Sequence, residues 1–324
     1  MPRSIPFAKF HGLGNDFLVV GAEGLPRPLS KFARAILDRH TGVGADGLLV
    51  MTPPRAKEHD ACLRVFNADG SEAEMSGNGI RCAGAFLSQV SPARRTFLIE
   101  TLAGVKTLER VKEEKGKWQF RVGMGAPILE PAKIPFKAET FAVPVKGYPF
   151  LTERGELPVT VTSMGNPHCS IFVEDFVEPA YHPAATDRAP GFSTAPLEQG
   201  AAKSRESGTV RHPSTFLRDC EDWESLGREI ETSPLFPNRT NVEFVKVISR
   251  REIAVRFWER GVGHTMSSGT GSCAAAVASI LNDLTGRQVR VQTQAGSLRV
   301  AWPENGEVVL TGPVEGIARG AYSY

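Results

Sequence analysis

The sequence predicts an α/β (α+β) fold built from two pseudo-symmetric domains. In each half, an apolar strand pattern leads through a polar loop into a Gly-rich turn, and an Ala-rich segment that suits a helix follows. The first copy has its strand at residues 63–66 and its turn at Ser76-Gly77-Asn78-Gly79. The second has its strand at residues 253–258 and its turn at Ser268-Gly269-Thr270-Gly271. One such turn is common, but two matched copies predict two similar halves with a site between them.

Length, composition and charge narrow the class of protein. The chain has 324 residues, enough for two domains of ordinary size, with 41% hydrophobic and 23% charged residues, as in soluble globular proteins. Its net charge of +2 indicates neither a nucleic-acid nor a membrane-surface partner. Residues 1–10 lack a signal-peptide core, and no run of ~18 apolar residues is present to span a bilayer. Five scattered cysteines without Cys-x-x-Cys spacing predict reduced thiols, no metal site and a cytoplasmic protein.

The first half is predicted to consist of short strands and two helices. Apolar runs predict strands at residues 5–10, 17–20, 48–51 and 63–66, and helical spacing predicts helices at 29–40 and 81–90. Alternating residues predict short antiparallel strands at 97–99, 105–108, 118–122 and 141–145. Asn15 lies in a tight polar loop between the first two strands, where it either faces a site or forms a simple Asn-Asp turn.

The second half repeats this order. Strands are predicted at residues 159–162, 170–173, 241–247 and 253–258, helices at 223–232 and 272–281, and strands again at 289–291, 298–302, 308–311 and near 317. Asn166 and His168 lie at a Pro-induced bend between the first two of these strands, and a lone His of this kind is more often structural than catalytic. Residues 177–218, rich in Pro, Ala, Gly and Ser, predict a long surface insertion without a catalytic part. We place the first domain at residues 1–135 and the second at 136–324, with the C-terminal strands free to return to either half.

The two Gly-rich turns suggest the chemistry of the site. Backbone N–H groups at a helix N-terminus bind anions, so two such ends facing each other could hold one carboxylate. Ser76 and Ser268 would then lie on opposite sides of the carbon next to that carboxylate. Two-sided access to an α-carbon is the geometry of racemisation or epimerisation, in which one face loses a proton and the other gains one. We expect Gly77 and Gly269 to line this cleft, so that larger residues there weaken binding but leave the fold intact.

The motifs around these features resemble those of the diaminopimelate epimerase family. They occur in the family's order over nearly the whole chain: HGLGNDF at residues 11–17, GVGADG at 42–47, FNADGS at 66–71, GNGIRC at 77–82, GNPH at 165–168, TNVEF at 240–244 and ERGVG at 259–263. The resemblance implies two pseudo-symmetric domains, each a mainly antiparallel sheet wrapped around a central helix. It also implies a cofactor-independent epimerase, usually a homodimer, that interconverts LL- and meso-diaminopimelate in lysine and cell-wall precursor synthesis.

The resemblance assigns roles to particular positions. His168 and Glu259 would flank the reacting carbon. The polar groups of the substrate would be bound by side chains of Asn15, Asn67, Asn166, Asn241 and Arg260. The α-carboxylate would be held by the N–H groups around Gly77, Asn78, Gly269 and Thr270.

The chain departs from the family at its two acid/base positions. The family has a cysteine before each Gly-x-Gly, whereas this sequence has Ser76 and Ser268. A thiol of pKa ~8.5 can be lowered into working range by a helix N-terminus, but a serine hydroxyl is a poor base unless another residue assists it. Cys82 and Cys273 are not simple substitutes, because at ~1.5 Å rise per residue they lie roughly 7 to 9 Å further along each helix.

Three interpretations of the serines remain open. The chain could be an epimerase altered at both positions to trap a ligand. It could be a natural relative with other chemistry, such as another amino-acid isomerase or a dehydratase that needs one base. It could also be an amino-acid-binding protein without catalysis. His264, four residues before Ser268, is a conceivable helper base, although a surface position is the simpler expectation.

Overall fold

The order of strands and helices in the first half is repeated in the second. The computed structural model describes residues 4–138, 142–176 and 222–324. The elements of the first half are β1 (Ser4–Gly12), β2 (Asn15–Gly21), α1 (Leu29–Leu37), β3 (Gly47–Thr52), β4 (Ala61–Asn67), β5 (Glu72–Ala73), α2 (Gly77–Val90), β6 (Thr96–Thr101), β7 (Gly104–Glu114) and β8 (Lys117–Gly125).

The second half opens with one additional strand. Its elements are β9 (Tyr148–Thr152), β10 (Gly155–Ser163), β11 (Pro167–Val173), α3 (Trp223–Glu231), β12 (Asn241–Ser249), β13 (Glu252–Glu259), β14 (Gly263–Thr265), α4 (Gly269–Leu281), β15 (Gln288–Thr293), β16 (Gly296–Ala301) and β17 (Val308–Ser323). The predicted insertion at 177–218 lies outside the described residues.

Strand pairing is the same in both halves. In the first, β1–β2, β3–β4, β4–β5, β6–β7 and β7–β8 are antiparallel, while β2–β3 and β4–β6 are parallel. The second shows the same series: β10–β11, β12–β13, β13–β14, β15–β16 and β16–β17 are antiparallel, and β11–β12 and β13–β15 are parallel. The prediction of an α+β fold with two pseudo-symmetric domains is therefore confirmed.

The last strand joins the two halves. β17 pairs with β16 of its own half and also with β1 and β8 of the first half, so the chain's end does return to the first half. A single bridge between Ile128 and Ser163 makes a second link across the halves. These ladders connect all strands into one continuous sheet. The domain division at residues 135 and 136 remains a prediction.

Each half curves its sheet around one central helix. α2 packs against β1, β2, β8 and β17, and α4 packs against β10, β11, β12 and β13. Residues 271–279 of α4, four of them Ala and the others Gly, Ser, Cys or Val, are all buried, and their small side chains let strands approach from several sides. Both helices belong to one hydrophobic core that continues from half to half. Burial of this apolar surface is what holds the two helix N-termini in place.

Several predicted elements differ from the structure. The helix predicted at residues 29–40 ends at Leu37, the strands predicted at 308–311 and near 317 form the single strand β17, and β5, β9 and β14 are additional strands. Both central helices begin earlier than predicted, at Gly77 and Gly269, because the Gly-rich turns form their first helical turns. The strand predicted at residues 141–145 is wrong over 142–145, which contain no strand; residue 141 lies outside the described part. Pro144 has no N–H to give to a ladder, and only the Val145 carbonyl accepts a bond, from Val161. No helix in the described part of the chain is long and apolar enough to cross a membrane.

Candidate active site

The N-termini of α2 and α4 meet at the centre of the molecule. A Cβ placed on Gly77 would lie 3.0 Å from the Cα of Gly269, and one placed on Gly269 would lie 2.8 Å from the Cα of Gly77. Both are buried backbone-to-backbone contacts. The expectation that these glycines only line a cleft is therefore wrong: any side chain there would push the two halves apart. Sequence spacing could not reveal this, because the contact joins residues far apart in the chain.

Each helix begins with a serine that caps it. Ser76 Oγ accepts a hydrogen bond from the Gly79 N–H at 3.0 Å, and Ser268 Oγ accepts one from the Gly271 N–H at 3.2 Å. Side-chain caps of this kind satisfy one N–H group of the first turn. Within the described residues, the N–H groups of Gly77, Asn78, Gly269 and Thr270 donate to no protein acceptor. Four free donors at two positive helix ends thus converge where the halves meet.

Ser268 lies beside a carboxylate. Glu259, at the end of β13, accepts a hydrogen bond from Thr265 Oγ1 at 2.8 Å, and it lies close to the Ser268 side chain. Burial raises the pKa of Glu259, while Thr265, Ser268 and the nearby His168 oppose that rise. A carboxylate with a raised pKa, bonded to a hydroxyl, has the features of a general base.

A second buried carboxylate lies under the same helix end. Glu243 on β12 has an oxygen 3.0 Å from the position of a Cβ on Gly271. Its Oε1 is 2.6 Å from His168 Nδ1, and its Oε2 accepts a bond from Ser170 at 3.4 Å. The side chains of Glu243 and His168 are both fully buried. Burial raises the pKa of Glu243, and His168 lowers it in part.

The equivalent surroundings of Ser76 are different. A Cβ on Gly79 would meet Leu49 Cδ2 at 3.1 Å, so a leucine lies under α2 where Glu243 lies under α4. No ionisable side chain within the described part of the chain contacts the Ser76 hydroxyl. The charge on this side belongs to Arg81, five residues after the capping serine, at the position that Cys273 holds in α4. Arg81 is fully buried, which lowers its pKa to about 10 but leaves it protonated at neutral pH.

The two helix cysteines are not acid/base groups. Cys82 and Cys273 are fully buried inside the core. Burial raises the pKa of each thiol to about 12, although the charge of Arg81 opposes the rise. At neutral pH both are therefore protonated and shielded from solvent. This agrees with the sequence-based argument that they cannot replace the missing cysteines.

Asn15 and Asn78 are connected to each other. Asn78 Nδ2 donates to Asn15 Oδ1 at 3.2 Å, and Asn15 Nδ2 donates to Asp46 Oδ2 at 2.9 Å. Asp46 in turn accepts a bond from Arg39, which also binds Asp16. Burial alone would raise the pKa of Asp16, but hydrogen bonds from Arg39 and Lys9 hold it below its usual value. Asn15 is thus part of a polar network and not only of a turn.

The remaining predicted residues lie around this centre in varied roles. Asn166 Oδ1 is 3.0 Å from His168 Nε2, which places both at the Glu243 side. Asn241 bonds two backbone groups, the Pro167 carbonyl and the Arg260 N–H. The Arg260 side chain is exposed and donates to the Asn238 carbonyl at 3.1 Å.

Two further positions lie at the edge of the site. Asn67 is exposed and donates to Ser71 Oγ at 3.0 Å. His264 packs edge-on against Trp223 and contacts Gln294 and Glu224, so it is held at the surface and not at Ser268.

Sequence reasoning missed three residues of the site. Arg81, Asp46 and Glu243 lie within the family-like motifs but carry no spacing signal of their own. Glu243 stands in an apolar strand pattern, and a charge inside a buried strand was the available signal. Across the described ranges, no group of three or more His, Cys, Asp or Glu side chains is arranged to hold a metal ion.

Comparison with known proteins places the chain in a family. The family model described as diaminopimelate epimerase matches residues 7–130 and 212–317. The diaminopimelate epimerase of Pelotomaculum thermopropionicum is 40% identical over 98% of this chain and 99% of its own length. That of Halothermothrix orenii is also 40% identical, over 98% of this chain and 97% of its own.

Solved structures share the fold at low sequence identity. A hydroxyproline epimerase from Agrobacterium vitis superposes with a TM-score of 0.63 at 14% identity, covering 100% of this chain and 94% of its own. A phenazine biosynthesis protein of the PhzF family from Bacillus anthracis gives a TM-score of 0.61 at 14% identity, covering 98% and 99%. These two structures therefore show the fold, whereas the curated sequence relatives match over 98% of the chain and carry one family name. This chain belongs to the diaminopimelate epimerase family.

Proposed function

We propose that this protein interconverts LL- and meso-diaminopimelate by removing the α-proton on one face and returning a proton on the other. The observation that carries the proposal is the meeting of two serine-capped helix ends at Gly77 and Gly269. That geometry presents one hydroxyl from each half beside a shared set of backbone donors. An α-carbon placed there would be reached from both faces.

The helix ends would stabilise the charge that develops during the reaction. The substrate α-carboxylate would accept hydrogen bonds from the free N–H groups of Gly77, Asn78, Gly269 and Thr270. When the α-proton leaves, negative charge spreads into this carboxylate as an enolate. Preorganised donors in a water-poor site favour that charge more than water does. The reaction on these groups requires no cofactor.

Proton transfer would be assisted unequally on the two faces. On the Ser268 face, Glu259 can take the hydroxyl proton as Ser268 Oγ takes the α-proton, so the carboxylate becomes a carboxylic acid. On the Ser76 face, the hydroxyl would give its proton to the carbon and recover one from water. We assign Ser76 and Ser268 as the groups that face the carbon, with Glu259 and His168 beside them.

The polar side chains around this centre would recognise the rest of the substrate. We assign Asn15, Asn67, Asn166, Asn241 and Arg260 to the two amino groups and the distal carboxylate. Arg260 is exposed, and among the described residues its side chain donates only to the Asn238 carbonyl, which leaves other donors to reach a carboxylate. We further propose a cytoplasmic homodimer, as expected for an enzyme of lysine and cell-wall precursor synthesis.

The proposal is tested by solvent exchange at the α-carbon. LL-diaminopimelate and meso-diaminopimelate are incubated with the protein in deuterium oxide, and the deuterium content and the isomer ratio are followed by mass spectrometry and chiral chromatography. Calorimetry with the same two ligands measures binding independently. Exchange that accompanies interconversion supports an epimerase. Exchange of other amino acids without interconversion of diaminopimelate would contradict it.

A second candidate, a diaminopimelate-binding protein without catalysis, is favoured by one observation. Ser76 has no acid/base partner in the described part of the chain, and a serine alone is a poor proton donor and base. Binding by calorimetry with no exchange above the uncatalysed rate would support this candidate. Turnover at ~1 to 10³ per second, usual for enzymes, would exclude it.

A further inference from the structure

A series of side-chain hydrogen bonds at the site connects a buried arginine to an exposed aspartate. Arg81 Nη2 donates to Asn78 Oδ1 at 2.7 Å, Asn78 Nδ2 donates to Asn15 Oδ1 at 3.2 Å, and Asn15 Nδ2 donates to Asp46 Oδ2 at 2.9 Å. This hydrogen-bond chain thus runs from the core, where Arg81 is 0% exposed, to the surface. It has no counterpart in the second half, where Thr270 and Cys273 occupy the positions of Asn78 and Arg81.

The two ends fix the direction of the two amides between them. An arginine can only donate hydrogen bonds, and an ionised aspartate can only accept them. Asn78 must therefore turn its oxygen to Arg81 and its nitrogen to Asn15. Asn15 must in turn present its oxygen to Asn78 and its nitrogen to Asp46. If either amide turned over, like groups would face each other at two contacts, and at the buried Asn78 little water could compensate.

Backbone contacts hold the Arg81 side chain in position to donate to Asn78. Its Nη1 donates to the Gly77 carbonyl at 2.8 Å and its Nε to the Pro313 carbonyl of β17 at 3.4 Å. The guanidinium is packed between two backbones: a Cβ on Gly12 would lie 3.0 Å from Nη2, and one on Gly312 would lie 3.1 Å from Cζ. No carboxylate in the described ranges forms an ion pair with it, although burying an unpaired charge is costly. A cation kept at such cost, next to the helix end, indicates a role beyond packing.

We propose that Arg81 and Asp46 are positioning residues that set the orientation of the Asn15 and Asn78 amides for substrate binding. This deepens the proposed function and rests on it in one respect, that the Asn15 side chain contacts the substrate. With the hydrogen-bond chain intact, the buried Asn78 amide holds Asn15 in one orientation, and Asn15 presents a known donor and acceptor to the bound amino acid. The orientation is then fixed before binding, so no binding free energy is spent on turning the side chains.

The experiment measures the side-chain amide signals of the two asparagines in the middle of the hydrogen-bond chain. In ¹⁵N-labelled protein, the side-chain amide signals of Asn15 and Asn78 are assigned by single substitution of each residue. Arg81→Met removes the donor but keeps the length of the side chain, and Arg81→Lys keeps the charge and a donor. We expect Arg81→Met to shift or double the Asn15 signals, although Asn15 does not touch Arg81, and Arg81→Lys to restore a single set. Diaminopimelate binding should weaken roughly 10-fold or more in Arg81→Met, as expected for the loss of ~1.5 kcal/mol or more.

Controls separate the proposal from loss of folding. Arg121→Met, which removes an exposed arginine paired with Glu109, should change neither the signals nor binding. If Arg81→Met does not fold, Asp46→Ala tests the same chain from its exposed end, and it should shift the Asn78 side-chain signals while the α2 backbone signals stay in place. Unchanged Asn15 signals in folded Arg81→Met, or unchanged Asn78 signals in Asp46→Ala, would overturn the proposal. If the wild-type protein bound no diaminopimelate, the proposed function would fail while the amide signals still reported on the chain.

Discussion

The two helix ends have the same backbone and opposite electrostatic surroundings. Each begins with a capping serine, a Gly-x-Gly turn and free N–H donors. Around Ser268 lie two carboxylates, Glu243 and Glu259, both with raised pKa values. Around Ser76 the charge is positive, from Arg81, and the position under the helix is taken by Leu49. The pseudo-symmetric backbone therefore sets the positions of the Ser76 and Ser268 hydroxyls. The side chains around each hydroxyl set its electrostatic environment.

This difference suggests a division of work between the halves. In the proposed reaction the α4 end would remove protons, because the Glu259 carboxylate lies beside Ser268. The α2 end would hold negative charge, because the Arg81 cation and a helix N-terminus act together. A reversible epimerase needs proton removal from either face, so serine at the α2 end is the weaker point of the site.

Restoring cysteine should have the largest effect. Ser76→Cys with Ser268→Cys gives each face a group whose pKa of ~8.5 a helix N-terminus can lower, so we expect interconversion to rise roughly 10²- to 10⁴-fold. Ser268→Cys alone should raise one-sided exchange only. Chiral chromatography combined with deuterium incorporation measures both. A double variant that binds diaminopimelate and stays as slow as the starting protein would show that these positions do not carry the acid/base groups.

Removing the carboxylate on the Ser268 side should come next in size. Glu259→Gln should slow exchange about 100-fold, at the lower end of general-base contributions. The base works only when ionised, and burial raises its pKa above 4.5, so the rate should fall as the pH drops through that raised pKa. In Glu259→Gln the exchange rate should no longer show this fall at low pH (the acid limb of the pH profile). Glu109→Gln, at an exposed glutamate paired with Arg121, is the control and should change neither the rate nor its dependence on pH. An unchanged acid limb in Glu259→Gln would assign the base elsewhere.

The contact between the two halves should be sensitive to a single methyl group. Gly77→Ala places a Cβ 3.0 Å from the backbone of Gly269, and overpacking of this kind costs about 1–3 kcal/mol. Denaturant unfolding and calorimetric binding should both show a loss. Gly21→Ala is a matched control, because nothing lies within 4 Å of its Cβ. Equal stability of the two variants would mean that the helix ends do not touch in solution.

Arg260→Ala should weaken binding without lowering the rate of the bound complex. Loss of a charge-assisted contact of roughly 1.5 kcal/mol or more corresponds to about 10-fold in Kd. A monocarboxylate analogue that lacks the distal amino-acid end should be insensitive to this change, as measured by calorimetry. Equal sensitivity of the analogue would place Arg260 at the α-carboxylate and not at the distal end.

The smallest effect is expected at the surface of the second half. His264→Ala removes a side chain that packs on Trp223 and bonds Gln294, away from Ser268. Stability should change by less than about 0.5 kcal/mol and exchange should not change. A marked loss of exchange would make His264 the helper base that its position in the sequence allows.

Much of the fold could be predicted from the sequence because the signals are local. Apolar runs located β3, β4, β12 and β13, and the repeated strand, Gly turn and helix revealed the two halves. Helix starts were placed too late, because glycine in a turn and glycine in a first helical turn look alike in sequence. Residues 142–145 show the limit of composition, since an apolar run with a proline in its middle does not form a strand here. The roles of the site residues remain predictions.

Residue types and local spacing are enough to indicate the family, the two Gly-rich turns and the serine before each of them. Those features depend on residue identity and on spacing within a few turns of chain. The contact of Gly77 with Gly269, the approach of Glu259 to Ser268 and the path from Arg81 to Asp46 through two amides become visible only in the folded molecule. These contacts join residues that strand pairing and core packing bring together, and their effect on each charge depends on burial. Neither distance nor burial is set by any local stretch of the chain, because both arise when the sheet closes around its two helices.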